Sequence, residues 1–447
     1  MTGSSDCVVC VDIGSTFTKA ALVELGSGRL LGTASHRTTV DTDVMDGYDA
    51  CRARLGADPG VPALACSSAG GGLRLAVVGY ERAVTAEAGH RVGLSAGARV
   101  VHVAAGVMTA ADVAALDAVR PDVVLLVGGT DGGNSEVLVH NAGRLAESAR
   151  RVPVVVAGNA DAGPRVVEML LGGGSNVHLA ANVLPEIGRL DPLPARAAIR
   201  EVFVRHVIGG KDLSRRSDFP AMVRAATPDA VLAGVELLAD GWGDVEGAGD
   251  VLVVDVGGAT TDVYSVVTPQ GEDAVLRKEV VETLWRSRTV EGDLGMRWTA
   301  VGVVDAAVAE RLVDAAEAQP LRVAAEVRVA DPAYLPVTDH DRALDARLGE
   351  LAVAVALRRH GRGSGKDLRQ VRLVVGSGGV LRHASVGLQR QVLAPATSDL
   401  AGGWALPAAA RSVVDESYVL AAAGLLSADH PEAAARLLRQ NLAAPPA

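Results

Sequence analysis

The feature that most constrains this chain is an internal duplication. The segment VDIGSTFTKAAL, residues 11–22, overlays VDVGGATTDVYS, residues 254–265, without a gap, so that Asp12 falls on Asp255, Gly14 on Gly257 and Thr18 on Thr261. Each copy starts from an apolar run (CVVCVDI, VLVVDV), turns through glycine and continues into a second β-prone stretch. That is the pattern of a hairpin in a buried sheet. Two such hairpins, far apart in the chain, imply a duplicated domain. A third glycine turn, VRLVVGSGGVL at 371–381, follows another apolar run and leads into helix-like sequence from Arg382, a strand-turn-helix unit.

Between the hairpins the rhythm changes. Apolar runs at 63–69, 99–105, 122–129, 152–158 and 176–182 alternate with helical stretches near 109–119, 134–150 and 163–172. Strands alternating with helices of these lengths predict βαβ crossovers and a parallel sheet. The expected fold class is therefore α/β, with two duplicated lobes and an inserted parallel α/β subdomain. The expected boundaries are a first lobe over 7–60, the insert over 61–190, a helical region over 191–250, a second lobe over 251–430 and a C-terminal tail over 431–447. HGRGSGKD at 360–367 is expected to be a linker or exposed turn, and the final LAAPPA to be disordered.

Composition narrows the function classes. Across 447 residues, 49% are hydrophobic, enough for large cores, and 43 basic against 53 acidic residues give a net charge of -10. Such a balance argues against nucleic-acid or anionic-membrane partners. Only Lys19, Lys211, Lys278 and Lys366 are lysines, so Lys19 beside a glycine turn stands out. Cys7, Cys10, Cys51 and Cys66 are too few and too N-terminal to staple the chain, which points to a reducing, cytoplasmic setting. Cys7 and Cys10 sit in a strand-like run with no second pair to complete a zinc site, and are expected to be buried. Residues 1–6 carry no leader pattern, and no apolar stretch approaches a membrane span.

A glycine hairpin can cradle phosphate because residues without a Cβ let backbone N–H groups approach the oxygens. Mg²⁺ keeps several waters and takes only one or two carboxylates, which suits Asp12 and Asp255, one before each turn. The segment Asp12, Gly14, Ser15, Thr16, Thr18, Lys19 resembles the first phosphate motif of the actin/hexokinase/Hsp70-type ATPases. Asp255, Gly257, Gly258, Thr260, Thr261 and Asp262 resemble the second, and Gly376, Ser377, Gly378, Gly379 the adenosine motif. That family has two helices crossing between the lobes at small residues. TPDAVLAGVELLA (227–239) and SYVLAAAGLLS (417–427) fit, with Ala233-Gly234 and Ala423-Gly424 at the crossing. The resemblance implies a duplicated actin-like (ribonuclease H-like) ATPase fold that binds ATP and Mg²⁺.

The chain as a whole looks like the MutL-type family of accessory proteins found with adenosylcobalamin-dependent glutamate mutase. The resemblance runs from Val8 to about Ser427, through VGGTDGGN (127–134), NVLPEIGRL (182–190) and RTVEGDLGMRW (288–298) among others. Nothing in it looks like the mismatch-repair protein of the same name. It implies a reactivase or chaperone-like ATPase whose partners are cobalamin-dependent mutase subunits, with homodimerisation left open. It does not imply the mutase itself, since none of the ten histidines has an Asp two positions earlier, as a cobalt-ligating D-x-H-x-x-G would require. Hydrolysis needs a polar side chain, usually a carboxylate, to position water, and Glu291, Asp293, Asp262 and Asp131 are the candidates; the acidic loop at 291–295 leads, its alternative being an ordinary N-cap or turn carboxylate. Lys19 either approaches the phosphates or closes a hairpin salt bridge. VGGTDGGN is either an anion site or an ordinary strand-to-helix turn. Alternative activities of the same fold are a small-molecule kinase with Asp293 as base, an electron-transfer activator, which the cysteine positions do not support, and a filament protein.

Overall fold

The computed structural model describes residues 6–69, 73–81, 89, 92–93, 98–148, 150–208, 213–268, 286–364, 367–399 and 403–443. The chain divides into two compact units, one of residues 1–69, 222–268 and 285–447, the other of 70–221 and 269–284.

The first unit contains two five-stranded sheets. One is built from β1 (Cys7–Ile13), β2 (Phe17–Glu24), β3 (Leu30–Arg37), β4 (Ala63–Ser67) and β10 (Val223–Ala226), in the order β10-β4-β1-β2-β3. β1, β2 and β3 form an antiparallel meander, β4 runs parallel to β1 and β10 parallel to β4. The other sheet uses β13 (Val251–Val256), β14 (Thr261–Val266), β15 (Arg286–Glu291), β16 (Leu373–Ser377) and β17 (Arg411–Val414), in the order β15-β14-β13-β16-β17. Its meander and its two parallel strands repeat the first arrangement. Renumbered within each sheet the order is 3-2-1-4-5 both times, the topology of a ribonuclease H-like lobe. β1 is buried along its whole length because it lies mid-sheet with both faces covered, which is why its sequence is a continuous apolar run rather than an alternating one.

Two helices, Thr227–Asp240 and Val419–Leu426, cross against each other. A methyl group added at Gly234 would lie 2.2 Å from the Leu420 carbonyl oxygen, and one at Gly424 would lie 1.7 Å from that of Ala230. Only glycine on both helices permits this approach. The apolar faces of the two helices join β1, β4, β13 and β16 in one core. A separate core lies between the other face of the second sheet and the helices Ala300–Ala309, Ala315–Ala330 and Asp339–Ser364. A two-stranded hairpin of β11 (Gly241–Trp242) and β12 (Val245–Glu246) follows the first crossing helix.

The second unit is a parallel sheet of β5 (Arg74–Gly79), β6 (Arg99–Ala105), β7 (Val123–Leu126), β8 (Val154–Val156) and β9 (Val177–Leu179), in the order β6-β5-β7-β8-β9. Its crossover helices are Ala110–Ala118, Glu136–Ala146 and Gly163–Gly172, the first opened by a Thr109/Asp112 capping box.

Three expectations change. The run at 63–69 is not part of the inserted sheet: β4 pairs with β1, so the first lobe extends past residue 60 and residues 70–221 form the second unit together with 269–284. An apolar run of that length does not disclose which sheet it joins. Residues 431–443 are not a tail, since the helix Pro431–Leu438 and the turn after it bury Ala434, Leu437, Leu438 and Leu442 in the core of the crossing helices. The disorder expected of LAAPPA falls mostly on 444–447, outside the described residues. The expected linker at 360–367 is helical through Ser364, and His360 is fully buried, its Nε2 2.9 Å from Ser265 Oγ and its Nδ1 3.0 Å from Thr289 Oγ1.

Candidate functional site: two facing glycine turns

The two duplicated hairpins turn in the same way. Gly14 N–H donates to Phe17 O at 3.1 Å, and Gly257 N–H to Thr260 O at 2.9 Å. A Cβ on either glycine would press on the oxygen it bonds, at 2.7 and 2.9 Å. The turns also face each other: a Cβ on Gly258 would meet Thr16 Oγ1 at 2.9 Å. That Thr16 hydroxyl is buried and has no protein partner. An unmatched donor between two close-packed backbone turns suits an anionic oxygen as its missing partner.

Hairpin register places the charged groups. Asp12 lies opposite Lys19, and Asp255 lies opposite Asp262. Asp12 accepts from Thr227 Oγ1 at 2.7 Å and from Lys19 Nζ at 3.2 Å. The Lys19 ammonium also sits 4.3 Å from the centre of the Tyr418 ring, which Arg382 approaches at the same distance. Burial alone would depress the lysine, but Asp12, Tyr418 and Asp255 more than offset it, so Lys19 stays firmly charged. Lys19 thus makes the hairpin salt bridge while remaining beside the first turn. Burial first, then Asp262 and Asp12, push the Asp255 carboxyl up to about 6 against the pull of the Lys19 charge and of its hydrogen bond with the Ser377 side chain. The charge of Asp262 is met by Arg288 at 2.9 Å, both side chains being almost wholly buried, and Tyr264 Oη–H donates to it at 3.2 Å.

The acidic loop is brought to the second turn by backbone bonds. Met296 N–H donates to Gly257 O, and the Arg297 and Trp298 N–H groups both donate to Gly258 O. Gly295 packs so closely on Ala259 that a Cβ would lie 2.4 Å from its carbonyl carbon. Both carboxylates of the loop are engaged by Arg359, which meets Glu291 at 2.8 Å and Asp293 at 2.6 and 2.9 Å. Burial raises the Glu291 carboxyl above its ordinary value while Arg359 pulls it down.

The adenosine-motif residues close the same region. Ser377 is the register partner of Asp255 across β13 and β16. Gly378, at φ +107°, runs so close to β13 that a Cβ would lie 2.1 Å from Val256 O, and Gly376 and Gly379 flank it at the strand end and at the first turn of Gly379–Arg382. Ser15 and Thr260 keep partial exposure in their turns. Thr18 and Thr261 differ from expectation. Both are fully buried, Thr18 Oγ1 lying 3.2 Å from Thr38 Oγ1 and Thr261 Oγ1 donating to Leu294 O, so they brace the turns from behind.

In the second unit, Asp131 accepts from Ala160 N–H and Asn182 Nδ2 and so pins the VGGTDGGN turn internally, while Asn134 Oδ1 accepts from Glu136 N–H at the helix start. Cys7, Cys10, Cys51 and Cys66 are buried free thiols.

Thr227, Tyr418, Arg288, Arg297 and Arg359 were not singled out from sequence. Thr227 and Tyr418 open the two crossing helices, and only the fold brings them to Asp12 and Lys19. Among the described residues no group of three or more His, Cys, Asp or Glu is arranged to hold a metal by itself. Asp12 and Asp255, one before each glycine turn, match in number and chemistry the one or two carboxylates that a magnesium ion would take.

Two lobes of ribonuclease H-like order, joined by crossing helices and presenting paired glycine turns that each follow an aspartate, define the actin-like fold class. Comparison with known proteins then gives the family. The model of the MutL protein family matches residues 8–442. "Protein MutL" of Clostridium tetanomorphum is 34% identical over 460 residues, covering 98% of this chain and 99% of that protein. The chain belongs to the MutL protein family. Similar solved structures include nucleotide-free acetone carboxylase (14% identity, 95% of this chain and 70% of that one, TM-score 0.43). Another is component A of (R)-2-hydroxyglutaryl-CoA dehydratase from Acidaminococcus fermentans (10% identity, 96% and 100%, TM-score 0.34). Among the described residues no helix is long and apolar enough to cross a membrane.

Proposed function

We propose that the protein is a Mg-ATP-dependent accessory protein that reactivates an adenosylcobalamin-dependent mutase, glutamate mutase or a related aminomutase, and is not itself the mutase. The observation that carries the nucleotide part is the unpartnered, buried Thr16 hydroxyl held against the Gly258 turn. Backbone N–H groups of the two turns other than those of Gly14 and Gly257, which close the turns on Phe17 O and Thr260 O, would cradle the phosphates, with Lys19 alongside. Asp12 and Asp255 would hold magnesium through its waters, and the ion, when bound, withdraws charge from the phosphate oxygens. Glu291 and Asp293, and less directly Asp262, are the carboxylates available to orient water, once Arg359 loosens its grip on the first two. The glycine crossing of Thr227–Asp240 and Val419–Leu426 supplies a narrow contact about which the lobes would move between nucleotide states.

The mutase link comes from the chain's resemblance to the accessory proteins of glutamate mutase systems, and its membership of the MutL family supports that reading. The test is ATP turnover by the purified protein, alone and with inactivated, cobalamin-loaded mutase from the same genome, while following cobalamin release and recovery of mutase activity. ATP-dependent recovery is expected. Turnover that answers instead to a small hydroxylated metabolite, with no effect on the mutase, would move the protein to the kinase class.

A further inference from the structure

Arg297 occupies a position that the duplicated motifs do not account for. Its Cγ and Cβ are the next atoms, at 3.8 and 3.9 Å, that a side chain on Gly258 would meet after Thr16 Oγ1. Thr16 of the first turn, Gly258 of the second and Arg297 therefore converge on one point. The backbone of Arg297 is fixed there by its bond to Gly258 O, while its guanidinium donates to Met296 O at 2.7 Å and to Asp345 Oδ2 at 3.1 Å.

Asp345 does not need Arg297. It is buried in the helix Asp339–Ser364, and its other oxygen accepts from Arg328 Nε, of which only 2% of the side chain is exposed. Arg328 is further bonded to Ala324 O and Asp341 O and lies 5.1 Å from the Tyr334 ring centre, so it is held in place independently. The nearby Asp341 carboxylate is taken up by Thr338. Two guanidinium groups thus share one buried carboxylate. Removing the sole partner of a buried charge is costly, but withdrawing one of two leaves Asp345 paired. Arg297 is the spare cation, and it stands beside the phosphate turns.

Building on the nucleotide-site reading above, we infer that Arg297 contacts the terminal phosphate of bound ATP and distinguishes ATP from ADP, swinging from Asp345 to the phosphate while Arg328 keeps Asp345 paired. The planar fork of arginine suits phosphate oxygens better than a point charge does.

The test is calorimetric titration of the wild type, Arg297→Gln and Arg297→Lys with Mg-ATP and, separately, with Mg-ADP, with circular dichroism confirming the fold. For Arg297→Gln the affinity for ATP should fall about 10- to 100-fold, as expected for one charge-assisted bond, while that for ADP stays within about 2-fold. Arg297→Lys should show a smaller loss confined to ATP, about 3-fold or more, and it carries the test if the glutamine variant does not fold. Equal losses for both nucleotides, or none in either variant, would overturn the role of Arg297 and leave the nucleotide site standing. A wild type that binds neither nucleotide would overturn the site itself, and this inference with it.

Discussion

Asp255→Asn should stabilise the metal-free protein while removing its response to Mg-ATP. Asp255 ends β13 opposite Asp262, and burial with two neighbouring carboxylates raises its carboxyl from 3.8 to about 6. At about 1.36 kcal/mol per unit, holding it ionised above pH 7 costs the fold at most about 3 kcal/mol. Asp255 keeps some solvent exposure, so a gain of about 1–2 kcal/mol on neutralisation is the reasonable expectation. At about 2 °C per kcal/mol for a protein of this size, the melting temperature should rise by a few degrees. The sign follows from proton linkage. Between pH 4 and 6 the folded wild type holds more protons at this site than the unfolded chain, so its stability falls as pH rises through that window. The advantage of the asparagine variant should therefore be absent near pH 4 and complete above about pH 7. Thermal melts in EDTA across that range, repeated with Mg-ATP at pH 7.5, read both effects. An asparagine variant less stable than the wild type in EDTA at pH 7.5, or one that gains as much from Mg-ATP, would refute the reasoning.

Gly424→Ala would force the crossing helices apart, because its Cβ would lie 1.7 Å from Ala230 O; a loss of about 3 kcal/mol or more in urea unfolding is expected, and a cost below about 1 kcal/mol would contradict that packing. Cys10, pushed up to about 12 by burial, and Cys66, raised well above its ordinary value, should not react with a disulfide reagent at pH 8 until the protein is denatured; prompt labelling of either in the folded state would count against their burial. Arg359→Gln removes the group that lowers the Glu291 carboxyl and leaves burial to raise it further, so the acidic limb of the turnover-against-pH profile should move to higher pH; an unmoved limb would take Glu291 out of the water-positioning role.

The backbone of the site was legible because hairpins carry their register in their sequence. The gapless overlay placed Lys19 and Asp262 at equivalent positions, and the structure pairs them with Asp12 and Asp255. Glycines at the helix crossing were legible for a similar reason, since a pair of small residues on each helix marks a close approach. Long-range partners were not. Nothing about ALACS at 63–67 says that it lies beside β1 rather than in the parallel sheet of the second unit, because any short apolar strand fits either. The arginines that neutralise the candidate carboxylates come from β15 and the long helix, and only the fold unites Arg288 with Asp262 and Arg359 with Glu291 and Asp293. Thr18 and Thr261 were expected at the phosphates because they fall within segments that resemble the phosphate motifs, yet strand alternation carries them to the far side of the turns, where they bond inward.

The central claim is a Mg-nucleotide site between the two hairpins, and calorimetric titration of Mg-ATP into the wild type, Asp12→Ala and Asp255→Ala tests it most directly. Saturable binding by the wild type that requires magnesium and disappears in both variants is the predicted result. Binding and turnover unchanged in both variants would contradict it and remove the two aspartates from the site.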